Sequence, residues 1–379
     1  MRRIIIDSNR CSNPVKIGFL INPIAGIGGP LGLGGTDAID DALLIESRHI
    51  SEGRARTAIL SVLNQPSFVE MLFVTCSGQM GSQLLTDSGV RHEVVYEYSG
   101  TSTGEDTRKA CSEFLNRDVE IILFAGGDGT ARDIFSVIGK KIPILGIPAG
   151  VKMHSSVFLN RPEETGAALQ SYIESGRTSD GDILDVDEEA FREGRISVTY
   201  LGTALLPDAS GRIQPNKSPS VPSDDKHSVN QIASYFVDTM DPEVLYVLGT
   251  GSTVSAISRK LGIERNDLAV NAVIGGVEVG SGLDEAGLER LIVMHPNFRI
   301  LVTPIGGQGF IFGRGNQQIS SVMILKAGRE NIMIISTPGK LAKLSAIRAD
   351  TGSPETDEML RGYWKVLTGY AKYRAVELI

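Results

Sequence analysis

The chain has 379 residues, more than one ordinary hydrophobic core fills, so two domains are expected. Its hydrophobic (41%) and charged (22%) fractions are those of a globular protein, and a net charge of −8 argues against a nucleic-acid partner. No apolar run reaches the length of a membrane span and MRRIIIDSNR lacks the apolar stretch of a signal peptide, while Cys11, Cys76 and Cys111 stand far apart, which suits a reducing cytoplasm and argues against structural zinc.

In chain order, Val15 to Ile21 (VKIGFLI) reads as the first strand, and NPIAGIGGPLGLGGTD follows it. That loop holds Asn22, Pro23, Gly26 and Gly28, but neither a Gly-x-Gly-x-x-Gly spacing nor a Walker A pattern. It reads either as a flexible surface loop or, because it directly follows a first strand, as a ligand-binding turn. Met71 to Thr75 and Glu93 to Tyr96 are further strands. Thr103 to Asn116 is a helix with Thr103 as its cap and Asp106 in its first turn. Val119 to Ala125 is a strand-length apolar run, and Gly126-Gly127-Asp128-Gly129-Thr130 turns into a helix beginning at Ala131. Ile142 to Ile147 is the last strand of this half, closed by Pro148-Ala149-Gly150. The alternation implies a parallel sheet covered on both faces.

The second half reads less regularly. A helix covers Thr165 to Ser175, and Asp182 to Asp187 and Arg195 to Leu206 are strands. Pro207 to Asn230 reads as a mobile loop, either a bare linker or a lid. Val244 to Leu248 is a strand, and Gly249-Thr250-Gly251-Ser252-Thr253 opens a helix that runs to Lys260. A strand at Ala269 to Ile274, a helix at Asp284 to Met294 and a strand at Arg299 to Thr303 come next. The stretch from Pro304 to Ser320 is dense in planar hydrogen-bonding groups. It is either a polar loop capping a helix at Ser320 or a substrate reader built from Gln308, Arg314, Asn316, Gln317 and Gln318. A helix from Glu355 to Thr368 carrying Trp364, the only tryptophan, and a terminal strand YRAVELI complete the chain.

A strand that ends in glycines at a helix entry suits a nucleotide phosphate, because orphan N–H groups and the helix dipole both favour anions there. Asp128 in such a turn can accept a proton from an attacking hydroxyl or contribute to a Mg²⁺ site. The same residues also serve as plain turn chemistry, with Thr130 or Asp128 as an N-cap.

GGDGT after a strand, followed later by GTGST at a helix start, resembles the NAD kinase and diacylglycerol kinase superfamily; with TPIGGQGFIFGRGNQQIS the chain looks closest to its ATP-NAD kinase or AcoX-like branch. The resemblance spans roughly Val15 to Arg348 and implies a Rossmann-like α/β domain (1–150), a β-rich second domain (151–345) and a C-terminal segment (346–379) packing back on the first, with the active site in the interdomain cleft. It implies a Mg²⁺-dependent kinase using ATP, with NAD as the acceptor substrate and a homo-oligomeric assembly. Asp128 takes the place at the reacting hydroxyl or the metal. Asn22, Pro23, Gly26, Gly28, Gly126, Gly127, Gly129 and Thr130 approach the phosphates, and Gly251, Ser252 and Thr253 line the nucleotide site. Two departures stand out. Arg132-Asp133 replaces a common Asn-Glu, so Asp133 keeps the acid role without the amide. Val151-Lys152-Met153-His154 follows Pro-Ala-Gly where lipid kinases have Gly-Thr-x-Asn-Asp, which offers Lys152 as a phosphate contact and sets His154 beside the site. A kinase for another small polyol or nucleoside-like acceptor, and a nucleotide sensor without turnover, are the alternatives.

Overall fold

The computed structural model describes residues 14–26, 28–29, 50–150, 153–186, 198–208, 212–213, 224–344 and 346–379. The described residues divide into two compact units. Those within Met1–Ile27, Thr36–Asp187 and Ser197–Asn216 form the first, and those within Gly28–Gly35, Glu188–Ile196 and Lys217–Ile379 form the second.

The first unit is built on β1 (Val15–Ile21), β2 (Met71–Cys76), β3 (His92–Tyr96), β4 (Ile121–Gly126) and β5 (Ile144–Pro148), in the spatial order β3-β2-β1-β4-β5. All four pairings are parallel. β4 and β5 are buried along their whole length, which is why both read as unbroken apolar runs. One face carries α1 (Ile50–Leu63), α2 (Ser82–Asp87) and α5 (Thr165–Ser175), packing Ala58, Ile59 and Leu169 against Ile17, Phe19 and Leu123. The other carries α3 (Gly104–Asn116) and α4 (Asp128–Ile138), packing Phe114 and Ile134 against Leu20, Ile122 and Phe124. Thr103 caps α3 in a full capping box with Asp106, as the sequence predicts. A hairpin of β6 (Thr178–Val186) and β7 (Val198–Pro207) packs with this unit.

The second unit begins with α6 (Asp224–Thr239), so the expected loop from Pro207 to Asn230 is helical over its last seven positions; 209–211 and 214–223 lie outside the described residues. Its mixed sheet holds β8 (Leu245–Leu248), β9 (Asn271–Ile274), β10 (Val277–Gly280), β11 (Phe298–Val302), β13 (Ile332–Ile335), β15 (Gly362–Gly369) and β16 (Lys372–Leu378), in the order β10-β9-β8-β11-β13-β15-β16. β8, β11, β13 and β15 run parallel, while β9 and β10 at one end and β16 at the other run antiparallel to their neighbours. β12 (Phe310–Phe312) pairs with β14 (Arg348–Ala349) in a short separate ladder.

One face of this sheet packs α6 and α7 (Ser252–Lys260). The other packs α8 (Glu285–Met294), α9 (Ser321–Ala327) and α11 (Pro354–Leu360), and α10 (Pro338–Leu341) follows β13. The expected helix from Glu355 to Thr368 is corrected: it stops at Leu360, and Trp364 lies on β15 with its indole Nε1–H donating to the Leu360 carbonyl at 2.6 Å. Gly362, at φ +107°, makes the turn between them, a conformation costly for any residue with a Cβ. A domain limit near residue 150 and a separate segment from 346 were expected; 153–186 and 198–208 pack with the first unit, and β15 and β16 belong to the second unit's sheet.

Candidate active site

In each unit, two glycine-bearing turns meet where the sheet's connections change sides. β1 leads on to α1 on one face of the first sheet, and its neighbour β4 leads to α4 on the other. In the second sheet, β8 leads to α7 on one face and its neighbour β11 leads on to α9 on the opposite face. Crevices at such switch points, outside the carboxyl ends of parallel strands, are where open α/β sheets bind ligands.

The first-unit turns are tied together by named contacts. Asn22 leaves β1, accepts from Ile24 N–H with its Oδ1 at 3.2 Å, and donates from Nδ2 to Thr130 Oγ1 at 2.9 Å. Gly26 sits at φ +86°, where an added Cβ would lie 2.3 Å from the Ala149 carbonyl oxygen. Ala149 and Gly150 in turn both donate their N–H groups to the Gly126 carbonyl, at 3.0 and 3.1 Å. The backbones of Gly127 and Gly150 touch, since a Cβ on Gly150 would come within 2.7 Å of the Gly127 Cα. Gly129 differs: a Cβ there would meet only Arg132 Nη2, at 3.9 Å, so no close packing among the described residues demands a glycine. Its missing side chain leaves the approach to the helix start open.

The helix begins earlier than its sequence suggests. Gly127 is the N-cap of α4 and Asp128 its first residue, so Gly129 and Thr130 are helical as well. Ala131 N–H makes the first intrahelical bond, to the Gly127 carbonyl at 3.0 Å, which leaves the N–H groups of 128–130 at the head of the helix without intrahelical acceptors. Asp128 is buried, and its two oxygens accept from His154 N–H at 2.6 Å and Ser155 N–H at 3.0 Å. Ser155 is itself fixed, because its Oγ donates to the Leu184 carbonyl and accepts from Leu184 N–H. Sequence reading missed Ser155 as the link between Asp128 and the β6 hairpin; the signal was the Ser-Ser pair beside His154. His154 contributes its backbone to Asp128, Lys152 lies outside the described residues, and Pro23 occupies the turn after Asn22. Asp133 is placed elsewhere: it pairs with Arg108 Nη1 at 2.8 Å in the contact between α3 and α4.

In the second unit, Gly251 at φ +115° is the N-cap of α7. Thr250, buried, donates its N–H to Asn316 Oδ1 at 2.7 Å and its hydroxyl to the Gly315 carbonyl at 2.8 Å. Asn316 also donates to the Ile311 carbonyl at 2.8 Å, so it clamps the turn after β8 to the loop after β11. Ser252 and Thr253 open α7. Arg314 is buried against Asp350 at 3.4 Å and lies over the Phe310 ring, 4.2 Å from its centroid, which makes it part of the packing around β12. Ser320 caps α9. Gln308 and Gln318 are buried, and Gln317 Oε1 is buried with no hydrogen-bond partner among the described residues. Gly28 and Gly29 fall within this unit, where a Cβ on Gly29 would meet Gln317 Oε1 at 1.8 Å.

Two family models match the chain: the ATP-NAD kinase N-terminal domain over residues 17–178 and the ATP-NAD kinase C-terminal domain over residues 241–378. The chain belongs to the ATP-NAD kinase family. Among curated proteins none matches. Among solved structures, the chain is similar to a diacylglycerol kinase from Bacillus anthracis str. Sterne at 17% identity, covering 46% of this chain and 47% of that one with a TM-score of 0.23. It is also similar to a putative diacylglycerol kinase from the same organism at 13% identity, covering 62% and 59% with a TM-score of 0.24. The chain thus spans about half of those structures' length.

Among the described residues no group of three or more His, Cys, Asp or Glu side chains is placed to hold a metal. A Mg²⁺ ion bound through one or two carboxylates and substrate phosphates needs no such cage. No described helix is long and apolar enough to cross a membrane.

Proposed function

We propose that this chain transfers the γ-phosphate of ATP to a hydroxyl of NAD, giving NADP, with Asp128 as the group that receives the hydroxyl's proton. The single observation that carries the reading is Asp128 itself. It is a buried carboxylate at the first position of α4, with one lone pair on each oxygen taken by a backbone N–H. An ionised carboxylate offers only acceptor oxygens, the chemistry that a substrate hydroxyl or a cation requires. Its rotamer is set before substrate arrives, which is the condition for positioning catalysis.

Phosphoryl transfer asks a protein for placement and for charge stabilisation more than for covalent chemistry. In this reading the N–H groups at the head of α4, bared by Gly127 and Gly129, meet phosphate oxygens. Asn22 and Gly26 hold the neighbouring turn in register, and within the second unit Ser252 and Thr253 at the head of α7 are the candidates for a nucleotide contact. Asp128, together with the substrate phosphates, would hold a Mg²⁺ ion, which would supply charge neutralisation. Asp133 and Arg314 act as packing residues, since each carboxylate or guanidinium already faces an opposite charge.

ATP consumption tests the class of activity. Purified protein with Mg²⁺ and ATP is followed for ADP release with and without NAD. ADP release only with NAD supports the proposal; ATP binding without turnover, whatever hydroxyl compound is added, contradicts it and leaves a nucleotide sensor.

A further inference from the structure

We propose that Arg265 is the positioning residue of the second-unit nucleotide turn, acting on the ligand through the backbone of Gly249–Gly251 and not by touching it; this rests on reading that turn as a nucleotide site. Arg265 stands between α7 and β9, on a segment that wraps behind the end of β8. Its Nη2 donates to the Gly249 carbonyl at 2.9 Å and to the Ala269 carbonyl, while Nη1 reaches the Leu248 carbonyl at 3.5 Å and Nε the Asn266 carbonyl at 3.4 Å. Two residues on, the Asp267 carbonyl accepts the Gly251 N–H at 2.6 Å.

These contacts decide what the turn can offer a ligand. The Gly249 carbonyl is held by Arg265, the Thr250 N–H by Asn316 and the Gly251 N–H by Asp267. The Gly249 N–H donates to the Leu301 carbonyl at 2.9 Å, so the three N–H groups of 249–251 are already committed. Ser255 N–H makes the first intrahelical bond of α7, to the Gly251 carbonyl at 3.0 Å, so the donors left for phosphate are the N–H groups of 252–254. Their direction depends on Gly251 holding φ +115°, and the segment carrying Arg265 holds it there.

Arginine suits the post better than lysine. A planar fork can engage carbonyls from separate segments at once, whereas an ammonium acts as a point charge. Burial lowers the pKa of Arg265 to about 10, with Asp267 and Glu278 pulling it back up, so the side chain stays cationic at neutral pH. A cation behind the turn also favours an anion in front of it.

A residue that merely tied the strand end together would lower stability and leave the affinity of folded protein unchanged. The test therefore compares wild type, Arg265→Lys and Arg265→Met by calorimetric titration with ADP, steady-state kinetics in ATP, and amide exchange over residues 249–256. Losing a charge-assisted hydrogen bond predicts an ADP Kd about tenfold weaker in Arg265→Met. KM for ATP should rise similarly with kcat changed by less than roughly threefold. Exchange should quicken over 249–256 and not across the first unit. Arg265→Lys should fall between, and it carries the test if the methionine variant does not fold. An ADP Kd within about twofold of wild type in folded variants overturns the inference and leaves the nucleotide reading standing. A wild-type protein that binds no ADP overturns both.

Discussion

Substituting Gly26 by alanine tests whether the turns after β1, β4 and β5 converge. Two costs arise at this position. The first is conformational: φ is +86°, and the left-handed region costs a residue with a Cβ about 1–2 kcal/mol. The second is steric: the Cβ would stand 2.3 Å from the Ala149 carbonyl oxygen, with Ile50 Cγ2 at 3.1 Å. Relieving that overlap means moving one backbone segment off another, for which core overpacking of about 1–3 kcal/mol is the guide. The expected loss is therefore about 2–5 kcal/mol. Gly89 supplies the control: its φ is +66°, nothing lies within 4 Å of a Cβ there, and the bonds from its N–H to the Thr86 carbonyl and from Val90 N–H to the Leu85 carbonyl make it the left-handed cap after α2. Gly89→Ala should lose only the conformational part, about 1–2 kcal/mol. Urea unfolding of both variants, followed by first-unit probes, gives the two numbers, and ADP titration gives the effect on binding. A loss in Gly26→Ala no greater than in Gly89→Ala would mean that the turn after β1 does not lie against Ala149.

Two further outcomes follow from buried groups. Burial lowers the Lys340 ammonium to about 8, with Asp225 opposing, and the ordinary value is 10.5. Between those values the unfolded chain binds the extra proton, so this group's contribution to stability rises with pH. Wild type should gain about 1–3 kcal/mol on Lys340→Met between pH 7 and 10 in chemical unfolding, and a flat difference would count against a desolvated Lys340. Cys76 and Cys111 are buried, and burial pushes both thiols up, Cys76 to about 12. Both should resist iodoacetamide at pH 8 in the native protein and react in denaturant, read by peptide mass mapping; rapid native labelling of either would contradict the core packing.

Much of this architecture is legible residue by residue. The bounds of β1 are legible because VKIGFLI, apolar apart from Lys16 and Gly18, lies between a proline and an asparagine, and those of α3 because Thr103 and Asp106 form a capping box that sequence spacing displays. The start of α4 at Asp128, three residues before Ala131, is hidden because Gly-Asp-Gly has turn propensity, and the packing of Gly127 on Gly150 is a contact that local sequence does not display. The 355–368 segment misled because Leu360, Trp364 and Leu367 recur at helical spacing; Gly362 was the break that should have divided it. Long-range partners were not legible at all. Nothing near Arg314 announces Asp350, and nothing near Asp128 announces the Ser155–Leu184 link; such pairings arise when distant segments meet. Glycine and acid motifs thus located the turns, while tertiary contacts decide which side chains remain available within them.

The most direct test of the central claim is product formation. Wild type and Asp128→Asn, each checked for native circular dichroism, are incubated with Mg²⁺, ATP and NAD, and NADP is read by an NADP-specific dehydrogenase. The account predicts NADP from wild type and a loss of at least about a hundredfold in the variant, the scale set by removal of a general base. NADP formation by Asp128→Asn at the wild-type rate would contradict it.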